Sequence, residues 1–304
     1  MQKILRSIPL PVSAIALSFA TLGNILSNVG VIRPIFGTIA ALLVIIALLK
    51  IVLTPAQFKE DMAAPVVAST FGTFSMAIMV LSTYVKPVSH VLGLLLWCIG
   101  IAIHIAIIVY VFTKFVLPSR KIFPSYYVTF VGIAVASVTS PAFALQRIGF
   151  VIAIIAALFF LLITPPILRN VFKANYLPAP ANPTKTIVAA PMSLIITGYV
   201  NSAAQVNQPL LLVMLIIAVI LTALGIYFIA TTIKKEFNPA YAAYTFPMVI
   251  SCFAAKVSSA AIETPAIKSV LGALHSVELL IALLAVAFAL AMYIKNFCEK
   301  ATIK

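Results

Sequence analysis

The chain has 304 residues, of which 63% are hydrophobic and 9% charged, and its mean hydropathy is +1.20. Soluble domains carry about 45–50% apolar and about 25% charged residues, so a water-soluble globule is excluded, and the high hydrophobicity excludes disorder. The 20 Lys+Arg against 6 Asp+Glu give a net charge of +14, which in a soluble protein points to nucleic acid. Here the basic residues fall between apolar runs, so they report membrane topology and no nucleic-acid partner is expected.

A bilayer-spanning helix needs about 20 apolar residues. Such runs recur from end to end and predict an all-α integral membrane protein, a single transmembrane domain over 1–304. In chain order the predicted spans are about 8–28, 32–54, 64–85, 88–116, 124–142, 145–172, 186–205, 208–233, 239–260 and 266–296. Met1 to Arg6 is basic and leads into the first run without a small-residue cleavage site, so a retained first helix is expected. Alternate loops divide the basic residues 15 to 5, with Lys3, Arg120, Lys300 and Lys304 on the richer side. The sparser side holds Arg33, Lys86, Arg147, Lys256 and Lys268. Cytoplasmic loops keep the excess of Lys and Arg, so both termini are expected on the cytoplasmic side of a cytoplasmic (inner or plasma) membrane.

A proline stands at or near the start of every odd-numbered span: Pro11, Pro65, Pro124, Pro191 and Pro239. Proline suits a helix's first turn, where its missing N–H has no partner to lose. Pro247 lies further inside the ninth run and is expected to kink it. The proline spacing is that of a helical hairpin repeated five times. Odd segments hold 22 Ser+Thr in 95 residues and even segments 9 in 127. Leu, Ile and Val suit lipid, whereas hydroxyls suit helix contacts or a watery path. The expected architecture is therefore a pseudo-fivefold ring, with odd helices inside lining a pore and even helices outside. Close helix packing by small residues accounts for the hydroxyl count equally directly.

The charges bear on what such a path carries. The bodies of the odd spans contain no Asp or Glu, which disfavours a cation path. Hydroxyls, backbone N–H groups and helix N-termini pass anions or neutral solutes. Positions expected to face the path are Ser13, Ser18, Thr73, Thr129, Thr197 and Thr245. Lys256, near the end of the ninth span, either attracts anions or snorkels to the headgroups. His275 and Glu278 share a face of the tenth span as a structural pair, and His104 on the fourth reads as a packing residue. Cys98, Cys252 and Cys298 have no metal-ligand spacing, so no metal and no cofactor are expected. Only Glu60 and Asp61 cluster among the acids, which excludes the catalytic carboxylate groups of a membrane enzyme.

The most specific run is Ala243-Tyr244-Thr245-Phe246-Pro247-Met248. It resembles the signature of the tellurite-resistance/dicarboxylate transporter family, which includes TehA-type bacterial proteins, malic-acid and sulfite permeases and the plant slow anion channel. Ile8-Pro9-Leu10-Pro11, Phe123-Pro124-Ser125-Tyr126-Tyr127 and Ala190-Pro191 are similar, in order, to that family's lead-ins to its first, fifth and seventh helices. The chain departs from it at Val12-Ser13-Ala14, where family members often carry glycine. The resemblance implies a homotrimer in which each protomer has its own pore, occluded by a ninth-helix phenylalanine that matches Phe246. On its residue type alone Phe246 is one of 20 phenylalanines and reads as core packing. The implied function is an anion channel or channel-like uniporter for small inorganic anions. The alternative is a C4-dicarboxylate carrier, or an exporter of sulfite or tellurite-related oxyanions, on the same fold.

Overall fold

A computed structural model describes residues 2–119, 121–173 and 175–302. Arg120 and Lys304, and the side chains of Lys3 and Lys300, lie outside the described residues. Among the described residues all regular structure is helical. Helix occurs within each of the ten predicted ranges. The segments are α1 Val12–Ile25, α2 Ile32–Leu53, α3 Pro65–Val85, α4 His90–Ser119, α5 Tyr126–Phe130 continued by Ala134–Phe143, and α6 Gln146–Asn170. They continue with α7 Ala190–Ser202, preceded by a 3-10 stretch Ala179–Ala189, then α8 Gln208–Thr232, α9 Pro239–Ala261 and α10 Pro265–Thr302. Short helices Gln2–Ser7 and Pro55–Asp61 lie before α1 and after α2.

Seven of these, α2, α3, α4, α6, α8, α9 and α10, are long and apolar enough to cross a membrane. The other three are shorter or broken, which hydropathy did not show. α1 is 14 residues long, against a predicted range of 8–28. α5 is interrupted at Val131–Ile133, and His104 Nε2 on α4 donates to the Thr129 carbonyl beside the break at 3.0 Å. The α7 lead-in carries Pro178, Pro180 and Pro183 within a few residues, and these cannot donate into an α-helical ladder. The tenth helix runs past the predicted 296 to Thr302.

Burial separates the helices by parity. About 72% of the apolar window is buried in α3 and α9, against 22–33% in α2, α4, α6, α8 and α10. In α1 every residue except Asn24 is buried, the mark of a helix surrounded by protein. The even helices instead expose residues such as Leu42, Leu95, Leu161 and Ile216, which only lipid or another protein surface would cover. Each odd helix packs on the next odd helix, and α9 packs back on α1. Each even helix packs on the odd helix that precedes it.

One ion pair closes the end of this assembly where the inner helices begin. Lys50 at the end of α2 is buried, and its Nζ donates to the Ile8 carbonyl at 2.6 Å and meets Asp61 Oδ2 at 2.8 Å. It joins the segment before α1, the end of α2 and the Pro55–Asp61 helix. A buried ammonium that loses its carboxylate is left uncompensated. Asp61→Ala is therefore expected to lower stability by about 2–3 kcal/mol, since Asp61 is partly exposed. Lys50→Met in the same chain should restore part of the loss. Thermal unfolding of the detergent-solubilised protein, read by circular dichroism, checks both.

Candidate pore and its two cavities

Most hydroxyls on the inner helices are spent on helix contacts. A Ser or Thr in a helix reaches the carbonyl three or four residues back, which satisfies it without water. Ser18 Oγ contacts the Ala14 carbonyl and Thr245 Oγ1, each at 2.8 Å, so α1 meets α9 there. Ser13 Oγ contacts the Leu10 carbonyl at 3.0 Å and Thr73 Oγ1 at 2.7 Å, so α1 meets α3. Thr129 donates to the Ser69 carbonyl at 3.2 Å and Thr197 to the Ser193 carbonyl at 2.8 Å. Of the six hydroxyl positions expected on the path, Thr73 lines a cavity; Ser13, Ser18, Thr129, Thr197 and Thr245 sit in these contacts instead. Helix rotation decides this, and an apolar inner helix gives rotation no sequence signature.

Two cavities lie among the inner helices. The proximal one, about 370 Å³, lies where those helices begin. Its walls include Pro11, Pro65, Pro239 and Pro247 with Thr70, Thr73 and Thr184, and no charged residue is among them. The distal one, about 510 Å³, lies toward the opposite ends of the same helices. Its walls hold Thr21, Asn24, Thr83, Asn201 and the cations Arg33 and Lys86. Among the described residues Phe246 is the one common to both walls. Its neighbour Thr245 is fastened to Ser18 on α1 and to the Ala242 carbonyl at 2.8 Å, which fixes the rotation of α9. Successive helical residues point about 100° apart, so a Thr245 turned to α1 leaves Phe246 turned elsewhere, here toward the cavities.

Helix type in α9 changes just before Pro247, where a kink was expected. α9 is a 3-10 helix over Pro239–Tyr244 and becomes α-helical at Thr245. Pro247 is thus the third residue of the α-helical part, a first-turn position where no N–H is required. Phe246 sits just past the change of helix type.

Lys256 does not line either cavity. Its Nζ donates to the Ile25 carbonyl, at the last turn of α1, where a cation complements the helix dipole. The cations that do line the distal cavity, Arg33 and Lys86, read in the sequence only as loop charges. The available signal was that both belong to the five basic residues on the sparser side. Arg33 Nε donates to Asn24 Oδ1 at 3.1 Å and Nη2 to the Thr83 carbonyl at 3.0 Å. Its guanidinium lies 4.5 Å from the centre of the Tyr84 ring. Tyr84 in turn donates to the Ala20 carbonyl at 2.6 Å. The ring fits because α1 and α2 present glycine to it: a Cβ at Gly37 would lie 2.5 Å from Tyr84 Cδ1, and one at Gly23 2.3 Å from its Oη.

Gly37→Ala is therefore expected to displace Tyr84 and to lower stability by about 1–3 kcal/mol through overpacking. Combined with Tyr84→Ala, the two losses should sum to less than their separate values, because the clash is gone. Thermal unfolding of the single and double variants measures the difference.

Among the described residues no group of three or more potential metal ligands occurs, and no carboxylate lines either cavity. The arrangement is an apolar cavity and a cationic one among buried helices, with Phe246 in the wall of each. Comparison with curated proteins gives no match. The family model described as voltage-dependent anion channel, SLAC1, matches residues 8–291, which takes in all ten helices but the end of the last. The apolar helices make this a membrane protein, and the match over nearly its whole length makes the chain a member of the SLAC1 voltage-dependent anion channel family.

Proposed function

We propose that the protein is a channel for small anions, and that the Phe246 side chain closes it. The observation that carries this is that Phe246 alone borders both cavities. In this reading α1, α3, α5, α7 and α9 form a pseudo-fivefold ring, one odd helix from each of five hairpins, and the two cavities are the vestibules of one pore. The cyclic contacts of those helices support the ring. A ring edge in a narrow apolar constriction blocks ions by excluding their hydration water, and a modest rotation of the side chain clears it.

Charge supports anions as the permeant species. The distal vestibule carries Arg33 and Lys86 without a carboxylate. The proximal vestibule gathers the starts of the inner helices, whose dipoles place partial positive charge there. With the basic residues on the proximal side, that end faces the cytoplasm of a cytoplasmic-membrane protein, and both termini share it. Anions are then concentrated at the mouth from which they leave the cell. A proton-coupled dicarboxylate carrier needs a protonatable group in the path, and among the described residues neither cavity wall has a His, Asp or Glu. Trimeric assembly follows the family resemblance, with the exposed even helices meeting lipid and neighbouring protomers.

Purified protein in a planar bilayer tests this. Phe246→Ala should raise chloride or nitrate current by about tenfold or more, a barrier loss of ~1.4 kcal/mol or greater. Its reversal potential should follow the anion gradient. Equal, near-zero currents in both proteins, with malate uptake driven by a proton gradient, would replace the channel by the carrier.

A further inference from the structure

The distal cavity contains a cation with no counter-ion. Arg33 is half-buried, and among the described residues no carboxylate lies within ion-pair distance of it. A guanidinium has five N–H donors. Two, on the Nε–Nη2 side, are held by Asn24 and the Thr83 carbonyl, and the Tyr84 ring supports one face. These contacts come from α1 and α3, so the group is fixed by two helices other than its own. Three N–H groups remain, two on Nη1 and one on Nη2; along the terminal edge one from each Nη nitrogen forms a parallel fork, and Arg33 is part of the cavity wall. Such a fork matches two oxygens of one planar anion better than a single spherical ion. Lys86 lines the same cavity, is exposed, and adds a second positive charge.

We propose that Arg33, assisted by Lys86, forms a binding site for a small planar oxyanion in the distal cavity, with nitrate or a short carboxylate accepting both hydrogens of the fork. Chloride occupies the same site more weakly, since it takes the charge but not the geometry. The site's place in permeation rests on the channel reading; anion binding at equilibrium does not.

Chloride NMR line broadening tests it on the full-length protein in detergent, with nitrate as competitor at constant ionic strength. The wild type and Phe246→Ala should both broaden the chloride line, and nitrate should remove that broadening at a lower concentration than chloride needs to saturate it. Arg33→Gln should weaken the nitrate midpoint by about tenfold or more, as expected for loss of a charged hydrogen-bonding pair. Arg33→Lys should keep chloride binding while losing the preference for nitrate. Lys86→Gln removes an exposed charge with little bearing on folding, and should weaken both anions about two- to threefold. No nitrate-sensitive broadening in the wild type would overturn the proposal. So would a midpoint unchanged in both Arg33→Gln and Lys86→Gln, or an undiminished nitrate preference in Arg33→Lys. A failed current measurement leaves this titration unaffected, because line broadening requires no conduction.

Discussion

Polar groups inside a helical membrane protein must find their partners within the protein, because lipid supplies none. That constraint shapes the inner helices. Most of their hydroxyls turn back to carbonyls of the preceding turn or bridge to the next helix, as Ser18 does with Thr245 and Ser13 with Thr73. Those bridges set the rotation and spacing of α1, α3 and α9. The side chains that reach the cavities then include Phe246 at the boundary, prolines at one end and two cations at the other. The same hydrogen bonds that hold the inner helices together thus determine what faces the space between them.

In the proposed pore the two ends use different means to favour negative charge. The proximal end has no charged side chain and relies on helix starts, several of them led by proline. The distal end uses a guanidinium clasped by Asn24, the Thr83 carbonyl and Tyr84. The clasp depends on Gly23 and Gly37, which let Tyr84 enter between α1 and α2. Lys50 and Lys256, by contrast, are used structurally, each donating to a backbone carbonyl that would otherwise lack a partner outside the helical ladder. Four basic residues that look alike in the sequence therefore divide into two fasteners and two cavity cations.

Helix positions were legible because hydropathy over about 20 residues is a strong signal, and the parity of Ser and Thr anticipated which helices are buried. Phe246 stands out among the 20 phenylalanines only through the six-residue run that resembles a known family, and its place in both cavity walls supports the proposed gate without testing it. The interrupted α5 was not legible, because its break is stabilised by a partner distant in sequence, His104 at Thr129; the short α1 and the 3-10 lead-in to α7 were not, because hydropathy alone does not register a helix end or the prolines of that lead-in. Of the six hydroxyl positions assigned to the path only Thr73 lines a cavity wall, and Ser13, Ser18, Thr129 and Thr245 bond to neighbouring helices while Thr197 bonds within its own, since an apolar inner helix has no polar face to fix its rotation. Arg33 and Lys86 were hidden for a related reason: the start of α2 and the end of α3 are distant in sequence yet lie side by side, as the bond between Arg33 and Thr83, 50 residues apart, shows.

The central claim is that Phe246 separates two otherwise continuous vestibules, and cysteine accessibility tests it most directly. Ala243 lines the proximal cavity. In a chain whose native Cys98, Cys252 and Cys298 have been replaced, Ala243→Cys would be exposed to a membrane-impermeant thiol reagent applied from the Arg33 side. The account predicts protection while Phe246 is present and rapid modification once Phe246→Ala is added. Equal modification rates in the two proteins would contradict it.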